Sequence, residues 1–81
     1  MSRHSKIKTY LTEYHAGFLA YGNRSDASVK VDLAESVIGY HSTDFYAAMA
    51  PSTVRAYVTE IERMLEAGEL KLESGTFTLL E

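Results

Sequence analysis

Few side chains in this chain have chemistry to offer. Glu60, Glu62, Glu66 and Glu69 crowd one short stretch, while His4, His15 and His41 stand in three separate ones. A metal centre needs ligands that converge, and paired His or Cys at i+3 or i+4 on a helix is the usual device. No histidine here has such a partner, and the chain has no cysteine. Neither a metal site nor a disulfide framework is therefore expected. There is no glycine-rich phosphate loop, no serine in a strand-turn-helix elbow, and no acidic pair set to tune one carboxyl against another. These residues point to no enzyme and to no cofactor. The four glutamates read either as a solvated helix face or as an acidic surface that meets a basic partner.

The elements that would position such residues are clearest at the C-terminal end. Residues 51–80 read PSTVRAYVTEIERMLEAGELKLESGTFTLL. Val54, Tyr57, Val58, Ile61, Met64 and Leu65 recur with the period of one apolar helix face. Pro51 suits the first helical turn, where its missing N–H costs nothing, and Gly68 suits a left-handed stop. Leu70, Leu72, Phe77 and Leu79 then alternate with Lys71, Glu73, Thr76 and Thr78. A Ser74-Gly75 loop sets Leu72 opposite Phe77 and Leu70 opposite Leu79, with all four apolar side chains on one side of a hairpin.

Upstream, Ile7, Tyr10, Leu11, Tyr14, Phe18 and Tyr21 predict a helix over residues 5–21, with Ser5 as its N-cap and Gly22-Asn23 as its stop. Gly17 inside that pattern costs roughly 1 kcal/mol relative to Ala and suggests close packing or a bend. Residues 22–28 form a polar loop. The V-K-V run at 29–31 reads as a very short strand that pairs with the hairpin edge. Asp32 with Glu35 makes an acidic capping box for a second helix, DLAESVIG, closed by Gly39. Across residues 40–50, Ser42 or Thr43 can cap one helical turn through Phe45, Tyr46 and Met49 before Pro51 interrupts.

Eighty-one residues support one domain. The net charge of −3 is uneven. Residues 1–31 carry five bases against two acids, whereas 32–50 carry three acids and no base, and 51–81 three bases against six acids. No apolar run of about 18 residues predicts a membrane span. The basic N-terminus lacks the apolar core of a secretory signal, so a soluble cytoplasmic protein is expected.

Helix, short strand, short helix, connecting segment, longer helix and ribbon is the order of a winged helix-turn-helix domain. The chain resembles that family over about residues 5–80, chiefly through VDLAESVIG, the STVR start of the long helix and its AGEL exit. The fold implied is α+β: a single winged-helix domain over residues 1–81, with three to four helices, a two- or three-stranded β-wing and a flexible arm at 1–4. The function implied is that of a small transcriptional regulator of double-stranded DNA, acting as a homodimer, of a kind frequent in phages, plasmids and archaeal viruses. By the same resemblance the long helix lies in the major groove. Ser52, Thr53, Arg55, Ala56, Thr59 and Arg63 would then face bases and phosphates, and Arg55 is the side chain able to grip a guanine bidentately. Lys71 in the wing and Arg3, Lys6 and Lys8 near the N-terminus would add phosphate contacts. The wing tip, Glu73-Ser74-Gly75-Thr76, carries no base. A second reading stays open, in which the same scaffold is an inhibitor or adaptor. It would bind a host protein through Tyr40, Phe45, Tyr46 and Met49 or through Glu60, Glu62 and Glu66.

Overall fold

A computed structural model describes residues 2–13, 25–44, 48–73 and 75–80. Among these residues the order is α1 (Arg3–Glu13), α2 (Asp26–His41), α3 (Pro51–Glu66), β1 (Leu70–Glu73) and β2 (Thr76–Leu79). The fold is α+β, three helices against a two-stranded antiparallel sheet.

The first helix starts earlier than its apolar spacing suggests. The Ser2 hydroxyl accepts the Ser5 N–H at 3.1 Å, and the Ser2 carbonyl takes the Lys6 N–H at 3.0 Å. Ser2 is thus the cap and Ser5 the third helical residue. Arg3 and His4 are the first two residues of the helix. The expected continuation over 14–21, with Gly17 and the Gly22-Asn23 stop, lies outside the described residues.

The second helix corrects the expectation of a strand at 29–31. Ser25, in extended conformation, accepts the Ser28 N–H at 3.2 Å through its side chain, and the helix runs from there. In a strand Val29 and Val31 would share a face. Here Val29 is 1% exposed and Val31 38%, because two residues on a helix turn through roughly 200°. The buried stripe is Val29, Leu33 and Val37 at i, i+4 and i+8, widened by Ala34 and Ile38. Asp32 and Glu35 are therefore mid-helix, not a cap. Gly39 does not close the helix, which continues to His41 with Ser42 at its C-terminal cap. The sheet consequently gains no third strand among the described residues.

Between α2 and α3, the Ser42 hydroxyl oxygen accepts the Asp44 N–H at 3.2 Å, and the Ala48 N–H reaches the Asp44 carbonyl at 3.0 Å. That second bond has the spacing of one helical turn. Phe45 and Tyr46, expected on it, lie outside the described residues.

At its far end α3 closes in a Schellman motif. The Glu69 N–H bonds the Met64 carbonyl at 2.9 Å and the Gly68 N–H the Leu65 carbonyl at 3.3 Å. Gly68 has φ +77°, a conformation costly for any side chain bearing a Cβ. The hairpin follows at once with the expected register, Leu70 opposite Leu79 and Leu72 opposite Phe77. Gly75, in its loop, also has φ +77°.

One core joins all these elements. Ile7 and Leu11 of α1, the α2 stripe, Tyr57, Ile61 and Met64 of α3, and Leu70 and Phe77 of the hairpin are buried together. Burying a side chain the size of Phe77 is worth about 2–3 kcal/mol. That contribution fixes the hairpin against the helices and so fixes the orientation of α3.

Candidate nucleic-acid interface and the groove beside it

The core face of α3 dictates what its other side presents. With Tyr57, Ile61 and Met64 turned inward, Ser52, Arg55, Thr59 and Arg63 are all exposed. At 3.6 residues per turn they fall within roughly 80° of one another. Thr53 and Ala56 are half-buried on the flank of that face. Pro51 occupies the first helical position, and Ala50 provides no side-chain cap. Thr53 and Val54 both donate to the Ala50 carbonyl, at 2.9 and 3.0 Å. The Thr59 hydroxyl donates inward to the Arg55 carbonyl at 3.0 Å. In that geometry it offers the outside only its lone pairs, which suit a donor on a base edge rather than a phosphate.

The charges on α3 are sorted by pairing. Arg63 donates to Glu60 Oε2 through Nε at 2.9 Å and Nη2 at 2.6 Å, and its Nη2 lies 3.6 Å from Glu69 Oε2. The hydrogen bond to Glu60 is the main reason the Arg63 guanidinium is held above its ordinary pKa; desolvation opposes it, and the charges of Glu60 and then Glu69 add to it. Glu69 accepts from His4 at 2.5 Å. That bond, ahead of the charges of His4, Arg63 and Lys8, holds the Glu69 carboxyl below its ordinary range against an opposing effect of burial. Lys30 of α2 reaches Glu62 at 3.3 Å, and Lys71 pairs with Glu73 at 3.1 Å on the outer face of β1. Of the expected phosphate and base contacts, then, Arg63 and Lys71 are engaged by carboxylates of their own chain. Arg55 makes no ion pair among the described residues.

The structure does not bring the N-terminal bases to Arg55. The His4–Glu69 bond sets the first turn of α1 beside the exit of α3. Arg55 lies eleven residues before Glu66, roughly 16 Å back along the helix axis. Arg3 is exposed at the exit end, and the half-buried Lys6 gives its carbonyl to His41 Nε2–H at 3.0 Å. Because a carbonyl can only accept, His41 carries its proton on Nε2 in this contact.

The residues of the protein-binding reading are likewise divided. Tyr40 is 41% exposed and packs edge-on against Tyr10 and His41, with centroids 5.6 and 4.9 Å away. Met49 is half-buried, and Glu66 is exposed. Glu62, exposed one turn before Glu66, is paired with Lys30, and Glu60 with Arg63.

A groove of about 420 Å³ opens between α2 and the entrance of α3, lined by Val31, Glu35, Met49, Pro51, Val54, Arg55 and Val58. Sequence reasoning missed it because a strand at 29–31 removes Val31 from α2. Read as helix, Val31 and Glu35 form an i, i+4 pair at the edge of the buried stripe, and that spacing is the signal that could have found the groove. Among the described residues no helix is long and apolar enough to cross a membrane. No family model matches this sequence, and no curated protein or solved structure matches it.

Proposed function

We propose that the chain is a winged helix-turn-helix domain that binds double-stranded DNA through α3 and serves as a small transcriptional regulator. The observation that carries this reading is the solvent face at the start of α3. Ser52, Arg55 and Thr59 lie together there, and Arg55 makes no ion pair among the described residues, whereas Glu60, Glu62 and Glu69 further along are paired within the chain. Glu60 and Glu69 share Arg63 and Glu62 has Lys30, so part of the acidic crowd that argues against a phosphate-rich partner is offset. The positive end of the helix dipole and the Ser52 hydroxyl add anion-binding character at the same end. The hairpin that directly follows α3 occupies the place of a wing.

A single module whose reading helix carries one arginine without an ion pair among the described residues makes few phosphate contacts, so binding should be weak and visible at low salt. The test is selection of duplexes from a random-sequence pool by the full chain at about 50 mM salt, then titration of the winners as salt is raised. Enrichment of a common sequence, with affinity falling as salt rises, is expected. Failure to retain any duplex at that salt overturns the proposal.

A second reading, a protein-binding inhibitor or adaptor, is favoured by one observation, the apolar groove beside Arg55. Its acidic version is not, because Glu60 and Glu62 already have partners.

A further inference from the structure

We infer that the groove between α2 and α3 is the docking site for a second copy of this chain, related to the first by a two-fold axis. Two opposite charges line it without a partner. Glu35, half-buried on α2, and Arg55, exposed on α3, both face the groove, yet neither forms an ion pair among the described residues. Val31, Met49, Val54 and Val58 line the same groove, and among the described residues Val31 is one of the few large apolar side chains left exposed. A half-buried carboxylate beside apolar side chains gains from a cation brought to it.

A two-fold interface presents the same patch from both sides, so that residue i meets j and j meets i. An anion on α2 and a cation on α3, flanking an apolar strip, satisfy that rule. Across the axis each copy's Glu35 faces the other's Arg55, twice over, while the valines close on one another. A foreign partner would have to bring the same combination of base, acid and apolar strip, which this chain already carries. The patch is small, so the dimer should be weak, with a dissociation constant on the order of 10–100 µM.

Such a dimer occupies Arg55 and sets the two α3 helices side by side. Paired reading helices that enter successive major grooves stand roughly 34 Å apart. The dimer is therefore the form free of DNA. This last consequence alone rests on the DNA-binding reading, and the test below contains no DNA.

The experiment is sedimentation velocity on the full chain over a concentration series at low ionic strength, with circular dichroism to confirm that each variant is folded. The wild type should pass from monomer to dimer as concentration rises. Glu35→Arg alone and Arg55→Glu alone each place like charges at both contacts and should stay monomeric. Mixed in equal amounts, the two single variants restore both pairs and should form a heterodimer. Val31→Asp, at an exposed position, should weaken the dimer without touching either charge. A wild type that is monomeric up to about 1 mM overturns the proposal. So does a folded single charge variant that dimerises as the wild type does, or a mixture that stays monomeric.

Discussion

His4 Nε2 lies 2.5 Å from Glu69 Oε1, joining the first turn of α1 to the last residue before β1, 65 positions later. Glu69 also supplies the N–H that closes the Schellman motif on Met64 and the carbonyl that accepts the Leu80 N–H at 2.9 Å. One residue thus ties the start of the chain, the end of α3 and the end of the hairpin.

The titration of Glu69 makes that tie pH-dependent. Its folded carboxyl is held below the ordinary value by the His4 bond first and then by neighbouring charges. A depressed carboxyl contributes stability that is present above its unfolded pKa of about 4.3 and is lost as pH falls through the folded value. Glu69→Gln should therefore melt at a lower temperature than wild type near neutral pH, and the gap should close below about pH 4. Thermal melts of the two proteins across pH check this. A gap that is constant from neutral to acid pH would refute the assignment.

Gly68 offers a test of backbone conformation free of steric complications. Its φ is +77°, and a Cβ built there meets no atom within 4 Å. Gly68→Ala should cost only the left-handed conformation, about 1–2 kcal/mol. For a domain this size that corresponds to a fall in Tm of roughly 4–8 °C per kcal/mol. Gly68→Asn should lose less, since Asn tolerates that region better. Equal losses for Ala and Asn would show that something other than φ is at work.

How much of this could be read from the residues depended on whether the local signal was decisive. The hairpin was legible because a two-residue loop leaves Leu72 facing Phe77 and nowhere else, and α3 because Pro51 and Gly68 mark its ends. At α2 the β-branched Val29 and Val31 gave a local strand pattern that tertiary burial overrode, and Ser25, three residues before Ser28, was the cap that settled it. At α1 the cap was one turn early, at Ser2, because Ser5 precedes the same apolar positions and reads equally well. The candidate face on α3 followed from its helical period. The pairing of Arg63 with Glu60 at i, i+3 was accessible from spacing alone. The Lys30–Glu62 and His4–Glu69 pairs were not, since they depend on how α2 and α1 pack against α3.

Burial separates the two apolar side chains that face each other across the hairpin. Phe77 is fully buried and Leu72 only half so, although both point to the core side of the ribbon. Phe77→Ala should cost about 3–5 kcal/mol, enough to threaten a domain of ordinary stability. Leu72→Ala should cost clearly less, because part of its surface is already in water. Urea denaturation with a common m-value measures both. A Leu72→Ala loss equal to or above that of Phe77→Ala would contradict the packing of the hairpin on the helices.

Arg55 carries the sharpest functional expectation, and two substitutions separate what it could be doing. A guanidinium holds guanine O6 and N7 bidentately, which an ammonium does not reproduce with the same geometry, though either neutralises a phosphate. If Arg55 reads a base, Arg55→Ala should cost about 1–3 kcal/mol at one position of the selected duplex. Arg55→Lys should lose most of that discrimination while keeping the affinity for unrelated duplexes and its salt dependence. If Arg55 only contacts phosphate, Arg55→Ala should weaken all sequences alike and reduce the salt slope by about one, and Arg55→Lys should behave as wild type. Stability should not move in either variant, because the side chain is exposed and makes no ion pair among the described residues. Fluorescence anisotropy at protein concentrations well below those of dimer formation measures both effects. An Arg55→Ala protein that binds the selected duplex as tightly and as selectively as wild type removes Arg55, and with it the start of α3, from the proposed DNA-binding surface.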